Sequence, residues 1–142
     1  HVSDVDASVK AADQRIAQIT SVLSTQKVIQ KHCDSYRLCR KVIEDCKSAK
    51  DPKAYRTKHQ AEYHLHDSLK KELQNLGVTK IPSSDKIKKR IENLESEQTA
   101  SVREKQGLQE KQKLLNTIQQ NFNVLLDAPE MQPPLSEKEN TL

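Results

Sequence analysis

The triplet His64-Leu65-His66 is the part of this sequence that most directly suggests chemistry. On a β-strand, two histidines separated by one apolar residue share a face, and both imidazoles could bind one metal ion. On an α-helix the same spacing turns the two side chains about 200° apart. The surrounding residues have helical periodicity. We therefore interpret both histidines as helix-surface residues, and we predict no catalytic and no metal-binding residues in this chain.

Three cysteines, Cys33, Cys39 and Cys46, lie close together in the sequence and follow His32. Zinc sites built on helices use ligands three or four residues apart that converge with a second pair. These cysteines are six and seven residues apart. We predict free thiols that act as small apolar residues between helices, in a reducing cytoplasmic compartment and with no cofactor.

Two clusters of basic side chains form a candidate surface for DNA. The candidate phosphate contacts are Lys47, Lys50, Lys53, Arg56, Lys58, Lys80, Lys86, Lys88, Lys89 and Arg90. Lysine and arginine hold DNA phosphates without reading the base sequence. Acidic neighbours such as Asp51 and Asp85 dilute both clusters, and a charged helix face is also typical of simple exposure to solvent. The net charge of +4 permits contact with nucleic acid without demanding it.

The spacing of apolar residues predicts an all-α fold. A composition of 34% hydrophobic and 31% charged residues suits long helices with narrow apolar contacts rather than a thick core. The first stretch alternates apolar steps of three and four, as in a coiled coil, at Val2, Val5, Val9, Ala12, Ile16, Ile19 and Leu23. We predict three helices, two long and one short: about residues 2–49, about residues 52–76, and a third that begins after a cap at Ser83 or Ser84 and ends at about residue 127. They would form an antiparallel coiled coil or helical bundle.

Signals for the start and end of a helix bound the short middle helix. Asp51 can cap the first backbone N–H groups, and Pro52 suits the first helical position. Gly77 can adopt the left-handed conformation that ends a helix, and Pro82 bars its continuation. Pro52 could instead kink one continuous helix and give a long two-helix hairpin closed at Gly77, and this alternative stays open.

The predicted helix lengths do not match. The middle helix is about half as long as its neighbours, so both long helices would keep uncovered apolar stretches. Either two copies pair as a homodimer, or another segment of the full protein covers them. Ser83 or Ser84 can cap the third helix. Residues 1–127 are predicted to form one helical domain, and the proline-rich polar residues 128–142 a disordered tail or linker.

No stretch of the sequence is long and apolar enough to cross a membrane, and no apolar targeting segment opens the chain. We therefore expect a cytoplasmic protein with no membrane partner. The chain opens on His1 rather than methionine. For this reason we interpret the sequence as a piece of a longer protein.

A resemblance to a known family covers most of residues 1–126. The stretches DPKAYRTKHQAEYHLHDSLKKEL and LGVTKIP, followed by a charged helix ending NTIQQNFNVLL, resemble the C-terminal helical region of conjugative relaxases. These are the mobilisation nucleases of integrative elements and plasmids, chiefly of Gram-positive gut bacteria. The most specific matches are Lys50, Asp51, Ala54, Tyr55 and Arg56, together with the stretch Leu76 to Pro82. The resemblance implies a DNA-nicking parent protein whose N-terminal nuclease domain is absent from this chain.

The function expected from the resemblance is that of an accessory, non-catalytic domain in conjugative transfer. It would serve self-association, DNA contact or docking to proteins of the transfer machinery. The alternative is a structural or adaptor coiled coil that binds protein partners and makes no contact with DNA. We do not expect an enzyme, because no acid, base and nucleophile converge on helical geometry.

Overall fold

A computed structural model describes residues 2–127 of the 142-residue chain. It contains four α-helices: α1 (Val2–Asp45), α2 (Pro52–Lys58), α3 (Gln60–Asn75) and α4 (Ser84–Leu126), with a short 3-10 helix at Cys46–Ser48. No β-strand occurs within the described residues, and the predicted all-α class is confirmed for them. The predicted tail, 128–142, lies outside the described residues.

The chain breaks between α1 and α2 as predicted. The backbone of Asp51 is extended, with φ −126° and ψ 95°, and Pro52 opens α2. The Ala54 backbone N–H donates a hydrogen bond to the Asp51 carboxylate at 3.2 Å, so this side chain caps the helix. The alternative of one continuous helix kinked at Pro52 is therefore wrong.

The predicted middle helix is divided in two at His59. This residue has φ −106° and ψ 26°, outside the helical range, and separates α2 from α3. The Tyr55 hydroxyl donates a hydrogen bond of 2.7 Å to the Val42 carbonyl and so ties α2 to the end of α1. The His66 ring of α3 stacks on Tyr36 of α1, with 4.6 Å between centroids. Both helices are therefore held by α1, at residues six positions apart along it.

The structure divides into two compact units, and residues 18–98 form the first described here. Its apolar core takes residues from α1, α3 and α4. The core consists of Leu23, Ile29, Cys33, Tyr36, Cys39, Leu69, Leu73, Ile87 and Ile91. The largest fully buried side chains are those of Leu73, Ile87 and Cys33. The prediction that the cysteines serve as apolar residues between helices is confirmed for Cys33 and Cys39, whereas Cys46 is only half-buried.

The turn after α3 has the hydrogen bonds of a Schellman motif. Gly77 has φ +84°, the conformation predicted for it. The Val78 N–H donates to the Leu73 carbonyl at 2.8 Å, and the Gly77 N–H donates to the Gln74 carbonyl at 3.0 Å. Val78 also packs against the core, so the turn both ends α3 and closes one side of the apolar cluster.

The start of α4 is fixed by a cap and by a contact with α1. The Lys86 backbone N–H donates a hydrogen bond of 3.2 Å to the Ser83 hydroxyl, which confirms Ser83 as one of the two predicted caps. The Arg37 guanidinium of α1 donates to the Pro82 carbonyl. Further along, Lys27 pairs with Glu95 at 3.8 Å. These contacts hold the first turns of α4 along α1.

The second unit is described for residues 2–17 and 99–127. Arg15 forms an ion pair with Glu104 and Lys105 with Asp13, each at 2.5 Å. Ala12 is buried at 1% exposure. The start of α1 is therefore covered directly by α4, and the expectation that both long helices keep uncovered stretches is wrong for α1. The sequence did not indicate this pairing, because the partners lie 89 residues apart for Arg15 and Glu104.

Replacing Gly77 by alanine should destabilise the protein by about 1 kcal/mol, because an L side chain at positive φ is strained. Apart from the adjoining residues of the chain, no atom lies within 4 Å of the added Cβ at Gly77 or at Gly107, so neither change creates a clash. Gly107→Ala is the matched control. It lies inside α4 and should stabilise by up to about 1 kcal/mol. Urea unfolding measures the free energy of unfolding of both variants. Equal changes of the same sign would contradict the left-handed conformation of Gly77.

Replacing Leu73 by alanine should lower the free energy of unfolding by about 2–5 kcal/mol, because a fully buried side chain leaves a cavity. Leu65→Ala is the control on the same helix. Leu65 is 47% exposed, and its loss should change stability by less than about 1 kcal/mol. Urea unfolding compares the two variants, and similar losses would mean that α3 presents a different face to α1.

Candidate nucleic-acid interface

The first basic cluster surrounds the break between α1 and α2. Lys47 lies in the 3-10 helix and Lys50 in the turn, while Lys53, Arg56 and Lys58 lie on α2. All five side chains are exposed. The cap at the start of α2 and the tie between Tyr55 and Val42 fix the backbone that carries them. The cluster therefore rests on a positioned element, although its side chains extend into solvent.

An aromatic side chain lies within this cluster. The guanidinium carbon of Arg56 is 4.8 Å from the centroid of the Tyr63 ring, a cation–π distance. Lys53, Arg56, Tyr63 and His64 are among the residues that line an open groove at this place. Tyr63 is not among the residues that the sequence predicts for this cluster. Its spacing of seven residues from Arg56, two helical turns, was the signal that could have identified it.

The Tyr63 hydroxyl stays protonated at neutral pH. A hydrogen bond with the Cys46 thiol is the main cause that raises the pKa of Tyr63 above its ordinary value, and desolvation adds to the effect. Arg56 acts in the opposite direction and lowers this pKa. Because the phenol is neutral, it adds no negative charge to the groove, whose cations remain available to an anion.

The second basic cluster lies at the turn before α4 and on its first two turns. Lys80 lies in the turn, and Lys86, Lys88, Lys89 and Arg90 lie on the helix, all exposed. Lys80, Lys86 and Arg90 line one open groove together with the turn residues. The N-terminal end of α4 adds a partial positive charge to the same region. Lys88 and Lys89 do not line this groove, so the structure brings together three of the five predicted residues.

The ten candidate residues share one electrostatic property. None of them forms an ion pair with a carboxylate in the described part of the chain, residues 2–127. Basic residues that do form such pairs lie elsewhere in the sequence, at Arg15, Lys27, Arg37, Arg40 and Lys105. The ten cations are therefore exposed and electrostatically uncompensated at short range.

Charge is also unevenly distributed along the chain. The stretches 47–58 and 80–90 each carry five basic residues and one acidic residue. The remaining residues carry 14 basic and 18 acidic side chains, taken from totals of 24 and 20. The positive net charge of the protein therefore comes from these two stretches, and the rest of the chain is net acidic.

The two histidines of the His64-Leu65-His66 triplet have different surroundings. His64 lines the groove beside Arg56, whereas the His66 ring stacks on Tyr36 and its Nδ1 lies 3.4 Å from the Asp67 carboxylate. This divergence is the one predicted for a helix. Among residues 2–127, no group of three or more histidine, cysteine, aspartate and glutamate side chains could hold a metal ion.

Comparison with models of protein families, with curated proteins and with solved structures finds no match. The resemblance to conjugative relaxases therefore stays a prediction from the sequence. Within the described residues, none of the helices combines the length and the apolar character that crossing a membrane requires.

The three thiols should differ in reactivity. Burial is the main cause that raises the pKa of Cys33 and of Cys39, and only the thiolate reacts with alkylating reagents. Cys46 is half-buried, and its thiol lies 3.8 Å from the Pro52 carbonyl. We expect a brief iodoacetamide pulse near pH 8 to label Cys46 first.

Peptide mass spectrometry after the pulse measures the labelling of each cysteine. The same pulse in concentrated urea is the control, since all three thiols should then react at similar rates. Labelling of Cys33 as fast as Cys46 in the folded protein would contradict the position of Cys33 in the core.

Proposed function

We propose that this chain is a non-catalytic helical module that holds DNA through its phosphates. The observation that carries the proposal is the concentration of positive charge in two exposed stretches, 47–58 and 80–90, whose ten basic side chains lack ion pairs within the described residues. In a protein whose other residues are net acidic, this distribution favours an anionic partner for those stretches.

The mode of binding follows from the side chains. Lysine and arginine on exposed turns and helix ends release counterions from DNA and make no base-specific contact by themselves. Affinity should therefore fall steeply with salt and depend little on base sequence. Arg56 is partly occupied by the Tyr63 ring, which orients its guanidinium and leaves its outer N–H groups for a phosphate.

The sequence resemblance gives this activity a context. On that proposal the chain is the accessory helical region of a relaxase-like mobilisation protein in the cytoplasm, and the nuclease domain belongs to a part of the parent protein outside this chain. Docking to other proteins of the transfer machinery belongs to the same proposal. We also propose that the helices form an antiparallel helical bundle, supported by later residues of α1 contacting earlier residues of α4 within each unit.

A protein-interaction module is the second candidate function. The last turns of α4 favour it, because they expose large apolar side chains, among them Ile118 at 54% and Phe122 at 58%. Contiguous exposed apolar residues of this kind are typical of surfaces that bind another protein. The two candidates use different residues, so one chain can serve both.

The triple change Lys88→Glu, Lys89→Glu and Arg90→Glu should weaken DNA binding by about tenfold or more. It should also reduce the slope of log affinity against log salt by about 2–3, because up to three phosphate contacts are lost. Titration of a labelled duplex and of a labelled single strand at several salt concentrations, followed by fluorescence anisotropy, measures both quantities.

The matched control is Lys10→Glu, Arg103→Glu and Lys111→Glu, which changes net charge equally at three exposed residues outside the clusters. This control should retain at least about half of the affinity if the contacts are local. Equal losses in both triples would mean that net charge alone draws the DNA. Salt-independent binding, or none, would leave the interaction module as the function.

A further inference from the structure

The groove beside Tyr63 contains side chains that phosphate binding alone does not require. Residues of α2 and α3 line it on either side of the break at His59, and we call it the α2–α3 groove. Among its lining residues are Lys53 and Arg56 from α2, and Gln60, Tyr63, His64 and Asp67 from α3. Two of these six side chains are permanent cations, whereas the others are aromatic, amide or acidic. A phosphate therefore does not account for the whole lining.

The four lining residues of α3 share one face of the helix. Gln60, His64 and Asp67 follow steps of four and three, and Tyr63 lies beside His64. Arg56 is held against this face, because its guanidinium carbon lies 4.8 Å from the centroid of the Tyr63 ring. The Arg56 side chain is nevertheless exposed. The side of its guanidinium away from the ring therefore remains accessible.

A guanidinium held over an aromatic ring is a stacking surface for a base. Bases that are not paired in a duplex stack on arginine planes and on aromatic rings, including histidine. His64 is exposed in the same groove and offers a second ring. The groove has a volume of about 490 Å³, within the range of pockets that hold small ligands. It is therefore large enough for one nucleotide.

Asp67 is the residue that favours a base over a phosphate. Its side chain is 79% exposed, and its carboxylate repels phosphate and can only accept hydrogen bonds. An unpaired guanine presents two adjacent donors, N1–H and the N2 amino group, which the two carboxylate oxygens can accept together. Adenine and cytosine have an acceptor beside their amino group, and thymine has a carbonyl on each side of its one N–H. Guanine is therefore the base that complements Asp67 best.

We propose that the α2–α3 groove binds one unpaired guanine of a DNA strand, with the base on Arg56 and its Watson–Crick edge at Asp67. This rests on the proposed function, because the first basic cluster would hold the phosphates of the same strand. Lys53 lies in the groove, and the other lysines of the cluster continue beyond it. A strand therefore gains phosphate contacts that a free nucleotide, with its single phosphate, does not.

A duplex fits the α2–α3 groove less well. Pairing covers the Watson–Crick edge of each base, and stacking within the duplex covers its faces. In the major groove, guanine presents the acceptors N7 and O6, which the Asp67 carboxylate repels. We therefore expect a preference for guanine in single strands, whereas duplex binding should depend little on base sequence.

Labelled single strands test the preference for guanine. By fluorescence anisotropy, a thymidine strand with one central guanine should bind the full chain about fivefold or more tightly than the all-thymidine strand. Replacing this guanine by hypoxanthine, which lacks the N2 amino group, should remove part of the gain, because one hydrogen bond to Asp67 is lost. After annealing to their complements, the guanine and thymine strands should differ by less than about twofold.

Asp67→Asn should have two opposite effects. Affinity for every strand should rise, because a negative charge is removed, while the preference for guanine should fall to less than about twofold, because one acceptor has become a donor. Glu72→Gln is the matched control, since Glu72 lies exposed on the same helix but does not line the groove. It removes the same charge and should keep the preference for guanine. A residue that only repels phosphate would not change the preference.

Tyr63 acts as a positioning residue for Arg56. Tyr63→Leu should lower the affinity for the guanine strand by about fivefold or more, the effect of losing one stacked base, and should change duplex affinity by less than about twofold. Tyr63→Phe keeps the ring and should retain at least about half of the single-strand affinity. Circular dichroism verifies that both variants are folded.

Three results would overturn the proposal: equal affinities for the guanine and thymine strands, an Asp67→Asn variant that keeps the preference for guanine, and displacement of the strand by micromolar dGMP. The last result would mean that a free nucleotide is the ligand. If duplexes bind with the expected salt dependence but strands show no preference, only this proposal fails. If neither form of DNA binds, the proposed function fails with it.

Discussion

The burial of Leu73, Ile87 and Cys33 in one apolar cluster is the interaction on which the rest of the structure depends. These side chains come from three different helices, and each is almost completely excluded from solvent. A long polar helix such as α1 is not stable alone in water, and its stability comes from the packing of one apolar face. With 34% hydrophobic residues, the chain has few other means of holding its helices together.

A core this narrow leaves the charged groups outside it. The breaks at Asp51-Pro52 and at Gly77 place basic residues on turns and helix ends, where they point to solvent. The cap at Asp51 and the Schellman turn at Gly77 fix the backbone there without using the lysine side chains. The same caps and turns that end the helices therefore leave these cations exposed to solvent.

The two surfaces proposed to bind partners differ in chemistry and lie in different units. Residues 18–98 contain the unpaired cations, and residues 114–126 in the other unit carry apolar and amide side chains without charge. A charged surface and an uncharged one do not compete for the same partner.

The sequence by itself determined the helical class, the cap at Asp51, the turn at Gly77 and a serine cap, at Ser83 or Ser84, before α4. These signals act through backbone hydrogen bonds between residues a few positions apart, so local residue types are sufficient. Tertiary structure decided three other features: the break at His59, the position of Tyr63 beside Arg56, and the covering of the start of α1 by α4. They depend on contacts such as Tyr55 with Val42 and Arg15 with Glu104, and no local pattern specifies which distant face a helix will meet.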